Sequence, residues 1–166
     1  MANWLLKEEP THYSFSDLLR DGATRWEGVH NPLALQHVRR MAVGDRAVYY
    51  HTGRERSCVG LARISTAPRP AANDPRGSWW VTVVPVRPLR RPIPLPELRA
   101  DPALAGLELL RLPRLSVVPV PDDLWARLLA HESATPWSPP AVTEGSSGSA
   151  RGTARPPGRT SGRRTR

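Results

Sequence analysis

Cys58 is the only cysteine in the 166-residue chain, so no disulfide can form within it. The five histidines (His12, His30, His37, His51 and His131) fall at unpaired spacings, which gives no zinc-binding pattern. No cofactor or metal is therefore expected. No apolar run approaches the about 18 residues that a membrane-spanning helix needs. The opening Met1-Ala2-Asn3-Trp4-Leu5-Leu6-Lys7-Glu8-Glu9 lacks a basic leader and a long apolar stretch, so a cytoplasmic protein is expected. Lysine is almost missing. Lys7 is the sole one, and all other positive side chains are arginines. No Ser-His-Asp or Cys-His arrangement can be assigned, and Cys58, inside an apolar run, reads as a packed residue rather than a nucleophile.

What is present divides the chain. Residues 1 to 131 carry nearly all the Leu, Val, Ile and Trp, enough for one hydrophobic core. From Glu132 onward the chain is Ser, Gly, Pro, Thr, Ala and Arg, a composition that cannot offset its own chain entropy by burial. The expected organisation is one domain over 1–131 and a disordered basic tail over 132–166. After Glu132 stand six arginines (Arg151, Arg155, Arg159, Arg163, Arg164, Arg166) and one acid, Glu144. The tail thus holds +5 of the net +9, and the domain +4. A basic tail suits a polyanionic partner, though a merely solubilising tail has the same composition.

The periodicities predict short elements. Trp4-Leu5-Leu6 reads as a strand ended by Pro10. Ser16 to Gly22 reads as a short helix with Ser16 as cap and Gly22 as left-handed terminator. Thr24-Arg25-Trp26 is extended. Asn31-Pro32 opens a second helix, with Asn as cap and Pro at its first position. Ala47 to Tyr50, Cys58 to Ile64, Trp79 to Val86 and Leu115 to Val118 read as strands, with Pro85 marking an edge or bulge. Pro96 and Pro102 suit short helix starts, and Asp122-Asp123 opens a closing helix. Strands following one another with little helix between them predict an α+β fold, a small mixed β-barrel with short helices packed around it.

Five blocks, in order from residue 3 to about 130, carry a resemblance. Trp4 to Pro10 is similar to "WLLKSEP", and Trp26-Glu27-Gly28-Val29-His30-Asn31 to "WDGVRN". Met41 to His51 is similar to "MKVGDLVFFYH", Val59 to Ala62 to "GIAGIA", and Arg114 to Val120 to "RLSVQPV". The chain resembles the EVE domain family, itself similar in fold to PUA, ASCH and YTH domains. The resemblance implies a PUA-like barrel that recognises a modified, flipped-out base in an aromatic pocket, in DNA as a modified cytosine or in RNA. It implies a non-catalytic nucleic-acid-binding module, with a monomer expected. The base-binding residues would be Trp26, Val29, His30, Asn31, His51, Arg114, Leu115 and Ser116. Where the family has "RNYQAR" this chain has His30-Asn31-Pro32-Leu33-Ala34-Leu35, and after His51 the common "SN" is Thr52-Gly53. Which base is read is open at those positions.

The residues also admit other duties. Trp26, in a short extended segment near Gly28, can stack on a base or lie buried as a lid over the barrel. Asn31 can cap its helix or pair with a base edge. His51 can donate to a ligand or be a structural histidine, and Arg114 can meet a phosphate or a surface acid. Ser116 can offer a hydroxyl to a base edge. Trp4, Trp79, Trp80 and Trp125 read as core or sheet-surface residues, and Trp137 belongs to the tail. Two other classes stand beside the binding module. One is an ASCH-like hydrolase of a modified nucleoside, using Lys7 with Glu8 or Glu9. The other is a protein-interaction adaptor working through the Arg/Pro-rich tail.

Overall fold

The computed structural model describes residues 1–134. In chain order the elements are β1 (Asn3–Glu8), α1 (Phe15–Asp21), β2 (Thr24–Trp26), α2 (Pro32–Arg40), β3 (Arg46–His51) and β4 (Ser57–Ile64). They continue with β5 (Arg69–Pro70), β6 (Trp79–Pro94), α3 (Leu95–Ala100), a 3-10 turn (Pro102–Leu104), α4 (Glu108–Arg111), β7 (Val117–Pro119) and α5 (Asp122–Ser133). The strands form one curled sheet in the order β2-β6-β4-β3-β1-β7, with β5 added beside β6. Among the described residues only β1 and β3 run parallel, and every other pair is antiparallel. The result is a mixed half-barrel. Helix α2 packs against both β6 and β7, so it spans the gap between the two ends of the sheet.

The first strand lies in the interior of the sheet. β1 pairs with β3 from Asn3–Arg46 to Glu8–His51 and with β7 from Trp4–Pro119 to Leu6–Val117. Buried between two neighbours, Leu5 and Leu6 are fully enclosed, as an apolar run without alternation requires. Trp4 donates its indole N–H to Asp45 (2.9 Å), whose carboxylate also accepts from the amides of Ala2 and Ala42. The Val43-Gly44-Asp45 turn is thereby tied to the chain start. On the next strand Gly60 makes room for Phe15: a Cβ there would meet the phenyl ring at 2.3 Å.

Several sequence expectations shift. The cap of α1 is Ser14, not Ser16. Ser14 Oγ accepts from the Asp17 amide (3.1 Å), and Asp17 accepts from the Ser14 amide (2.8 Å). This capping box starts the helix two residues earlier and brings Phe15 into the core. The long strand runs on from Val86 to Pro94. Its prolines are tolerated because the register with β4 slips at Leu61/Ala62, beside Pro85, and again between Cys58 and Gly60. The last strand is Val117–Pro119, since Leu115 and Ser116 precede the ladder. The boundary drawn at 131/132 also moves. α5 continues through Ser133, and Glu132 is buried, accepting from the Arg87 guanidinium and the Arg90 amide. An acid at the start of a polar segment is held by a cation 45 residues away. The tail expectation otherwise falls on residues 135–166, outside the described residues, as does Trp137. Among the described residues no helix is long and apolar enough to cross a membrane.

Candidate nucleic-acid interface

β2 is short and ends on Trp26, which pairs with Val81 of β6. The ring is 6 % exposed and stands edge-on to Tyr49, with centroids 5.8 Å apart and planes at 86°. Tyr49 in turn packs on Phe15 and His51. Trp26 is thus largely enclosed by the domain, as in the lid reading, while still lining a cleft. Its indole N–H is buried without a hydrogen-bond partner among the described residues. A cleft of about 220 Å³ opens at its edge, bordered by Glu8, Tyr13 and Glu27.

Gly28, at φ +73°, turns the chain from β2 toward α2. Val29 is buried behind that turn. His30 points away from it, with Nδ1 3.6 Å from the Asp74 carboxylate. Asn31 is the cap, and its Oδ1 accepts from the amides of Leu33 (3.0 Å) and Ala34 (3.1 Å). Capping uses only the oxygen. The side-chain NH2 makes no hydrogen bond among the described residues, so Asn31 can cap its helix and still donate outward.

Asn31 borders a second cleft, of about 290 Å³, between the start of α2 and the 112–115 turn. Its walls are apolar: Leu33 is 42 % and Leu112 40 % exposed, joined by exposed Pro113 and buried Leu115. Arg114 lies exposed at the rim, without an ion pair among the described residues. Two leucines facing an open slot, an amide donor and a guanidinium match what an extruded base and its phosphate present. Ser116 follows, with its carbonyl accepting from the Lys7 amide (2.9 Å). Of the sequence-derived residues, the structure gathers Asn31, Arg114 and Leu115 around one slot. Trp26 and Val29 lie buried, and Ser116 is half-buried beside β1.

His51 takes its structural role. Nε2 accepts the Phe15 amide (3.0 Å), so Nδ1 carries the proton and donates to Glu55. Both ring nitrogens are engaged inside the domain, and the residue is buried. Among the described residues Lys7 makes no ion pair with Glu8 or Glu9. Strand alternation sends Lys7 and Glu8 to opposite faces of the sheet. Glu8 accepts from the Glu9 amide and pairs with His12 (3.0 Å), and Glu9 accepts from Thr11 and Thr52. Lys7 donates to the carbonyls of Leu112 (3.2 Å) and Pro113 (2.9 Å). Burial pushes its ammonium down to about 8. Burial likewise pushes the Cys58 thiol up, which leaves it inert.

The family model of the EVE domain matches residues 2–131. The chain belongs to the EVE domain family. Human thymocyte nuclear protein 1 is 28 % identical over 170 residues, covering 81 % of this chain and 76 % of its own length. Among solved structures, Rpa0253 from Rhodopseudomonas palustris superposes with a TM-score of 0.75 at 34 % identity, over 78 % of this chain and 92 % of that one. Human THYN1 in complex with 5-methylcytosine-containing DNA superposes with a TM-score of 0.76 at 26 % identity, over 82 % and 100 %. An ASCH protein from Zymomonas mobilis shares the fold at 16 % identity and a TM-score of 0.51, over 78 % and 98 %. The PUA-like architecture expected from the sequence is the one observed.

Within this EVE domain, Pro32 starts α2 and Leu33 is an exposed wall of the slot. A further surface of the domain escaped the sequence reading. Trp80 lies between two guanidiniums, Arg25 at 4.2 Å and Arg69 at 5.9 Å from the ring centroid, and Arg39 covers Trp79 at 5.0 Å. These arginines come from β2, β5 and α2, so no local motif connects them. The adjacent tryptophans, which must face opposite sides of a strand, were the available signal. Among the described residues no group of three or more His, Cys, Asp or Glu is placed to hold a metal.

Proposed function

We propose that this EVE domain is a non-catalytic nucleic-acid-binding module that takes a flipped-out modified cytosine of DNA into the slot between Asn31 and Arg114. The single observation that carries this is the slot itself. It joins exposed Leu33 and Leu112 as apolar walls to Asn31, whose NH2 makes no hydrogen bond among the described residues. The structural likeness to human THYN1, solved with 5-methylcytosine-containing DNA, supports the class of ligand. Trp26 supports the slot from within the barrel, holding Tyr49 and the β2–α2 turn, rather than stacking on the base. Arg114 and the Trp80 arginines are the phosphate contacts, which would make affinity fall steeply with salt.

The test separates the two duties of Asn31. Asn31→Asp keeps a capping oxygen and removes the NH2 donor. Binding to duplexes with one modified cytosine, measured at fixed salt against the unmodified duplex, is expected to lose roughly tenfold or more of its preference. That corresponds to an unpaired polar edge costing about 1–3 kcal/mol. An unchanged preference would place the base elsewhere. Arg114→Ala is expected to weaken both duplexes alike and to reduce the salt dependence by about one phosphate contact.

A further inference from the structure

A further cleft lies where the ends of β1 and β3 meet α3 and α4. Lys7 and Tyr50 form its floor, Thr52 flanks them, and Arg56 and Arg99 stand at its rim, with Pro113 closing one wall. Three cationic side chains line it, and no carboxylate does. None of the three has an ion pair among the described residues. Two N–H groups of Lys7 go to the Leu112 and Pro113 carbonyls, which leaves a third. Tyr50 is 3 % exposed, yet its hydroxyl makes no hydrogen bond among the described residues. Arg56 is held at φ +41°, a left-handed conformation that costs a non-glycine residue energy. The nearest acids are engaged elsewhere: Glu9, behind Gly53, with Thr52 and Thr11, and Glu55 with His51. A cleft that gathers positive charge, an unused hydroxyl and backbone strain, with no counter-charge of its own, is built for an anion.

We infer that this cleft binds the phosphate of a phosphomonoester, with Lys7 and Tyr50 donating from the floor and Arg56 and Arg99 closing from the rim. Its volume of about 230 Å³ is several times the about 30 Å³ that one water occupies in the liquid, so a phosphate with part of a sugar fits. A phosphomonoester is close to a dianion at neutral pH and presents three acceptor oxygens, which matches several convergent donors. A phosphodiester carries one charge and two bulky substituents, which suits a groove better than a floor at the bottom of a cleft. Charge-assisted hydrogen bonds from two guanidiniums supply the strength. The cleft adjoins the proposed base slot at Pro113, to whose carbonyl Lys7 donates, while Tyr50, Arg56 and Arg99 line the cleft alone.

Amide NMR of the full chain at constant ionic strength tests this, with inorganic phosphate, a nucleoside 5′-monophosphate and the matching nucleoside as probes. Saturable shifts confined to Tyr50, Thr52, Gly53 and Arg56 are expected with the two phosphates, and none there with the nucleoside. Arg99→Ala and Tyr50→Phe, both mild changes to the fold, should each weaken the monophosphate roughly tenfold. Arg56→Gly removes the guanidinium while relieving the backbone, and should weaken binding without loss of stability. Preference for modified over unmodified DNA should persist in all three variants, so failure here and failure of the base-slot reading are distinguishable. A 5′-phosphorylated oligonucleotide set against its unphosphorylated form tells a strand end from a free nucleotide as the source. Shifts that grow linearly without saturating, or an Arg56→Gly/Arg99→Ala variant that binds phosphate like the parent, would overturn the proposal.

Discussion

At the end of α5, His131 sits between two carboxylates, Glu97 (2.8 Å) and Asp101 (2.7 Å). Glu97 also takes both terminal nitrogens of Arg91, and Asp101 takes Arg127. At the end of β1, Lys7 is buried against two backbone carbonyls with no acid paired to it. Both regions hold charge out of water. In the first, each charge meets opposite charges and hydrogen bonds, which binds α5 to α3 and the 3-10 turn. In the second, the deficit is left open toward a cleft. Matched buried charge is structural work, whereas unmatched charge at a cleft is capacity for a ligand.

Removing a partner should distinguish the two most sharply. Glu97→Ala strands Arg91 and His131 and should cost about 3–5 kcal/mol in urea unfolding. Lys7→Met, which deletes an uncompensated charge, should stabilise by about 1–3 kcal/mol at pH 7. Similar losses in both variants would erase the contrast.

Acid acts on the matched cluster. The Arg127 and His131 hydrogen bonds hold the Asp101 carboxyl down to about 2, against an ordinary 3.8. Its stabilisation is complete above pH 3.8 and is lost as pH falls toward 2, an effect of about 2 kcal/mol. Thermal unfolding of Asp101→Asn should be less stable than the parent at pH 6 and show a flatter acid limb.

Alkali acts on the unmatched charge with the opposite sense. Lys7 titrates near 8 in the folded chain and at 10.5 unfolded. Between those values the unfolded state binds more protons, so this group adds stability as pH rises. The gap between Lys7→Met and the parent should therefore narrow from pH 8 to pH 10.5. A constant gap would mean that packing alone, and not charge, sets the difference.

The smallest expected change is at Asn31, which belongs to neither region. Asn31→Asp should alter stability by less than about 0.5 kcal/mol, since Asp caps equally well and suits the helix start. Chemical denaturation beside the binding assay checks that the loss of preference is not a loss of fold.

Much of the frame was legible because it is local. Asn31-Pro32 opens α2, Gly22 ends α1, and Pro85 marks the slip in β6, all by rules that act within a few residues. Ser14 and Ser16 both satisfy the cap rule, and the choice between them fell to Asp17 and to burial of Phe15. The site was less legible because its residues are defined by distant partners. His51 is occupied by Phe15, 36 residues back. Trp26 is closed by Tyr49, and the Leu33–Leu112 slot joins segments that share no pattern. The cluster at His131 spans 34 residues to Glu97, a separation over which composition carries no signal.

The placement of β1 governs how the chain comes to be folded. Its partners are β3 and β7, so a strand at residues 3–8 is completed by residues near 119. Until the ribosome has released that segment, one edge of Trp4-Leu5-Leu6 stays open, an apolar template for any passing strand. A nascent chain stopped short of Val117 should be captured by chaperones or aggregate, while one only a few dozen residues longer closes its own edge. Such long-range pairing also slows folding relative to a helical protein of this length. For this domain, safety from aggregation begins only once β7 is available to cover β1.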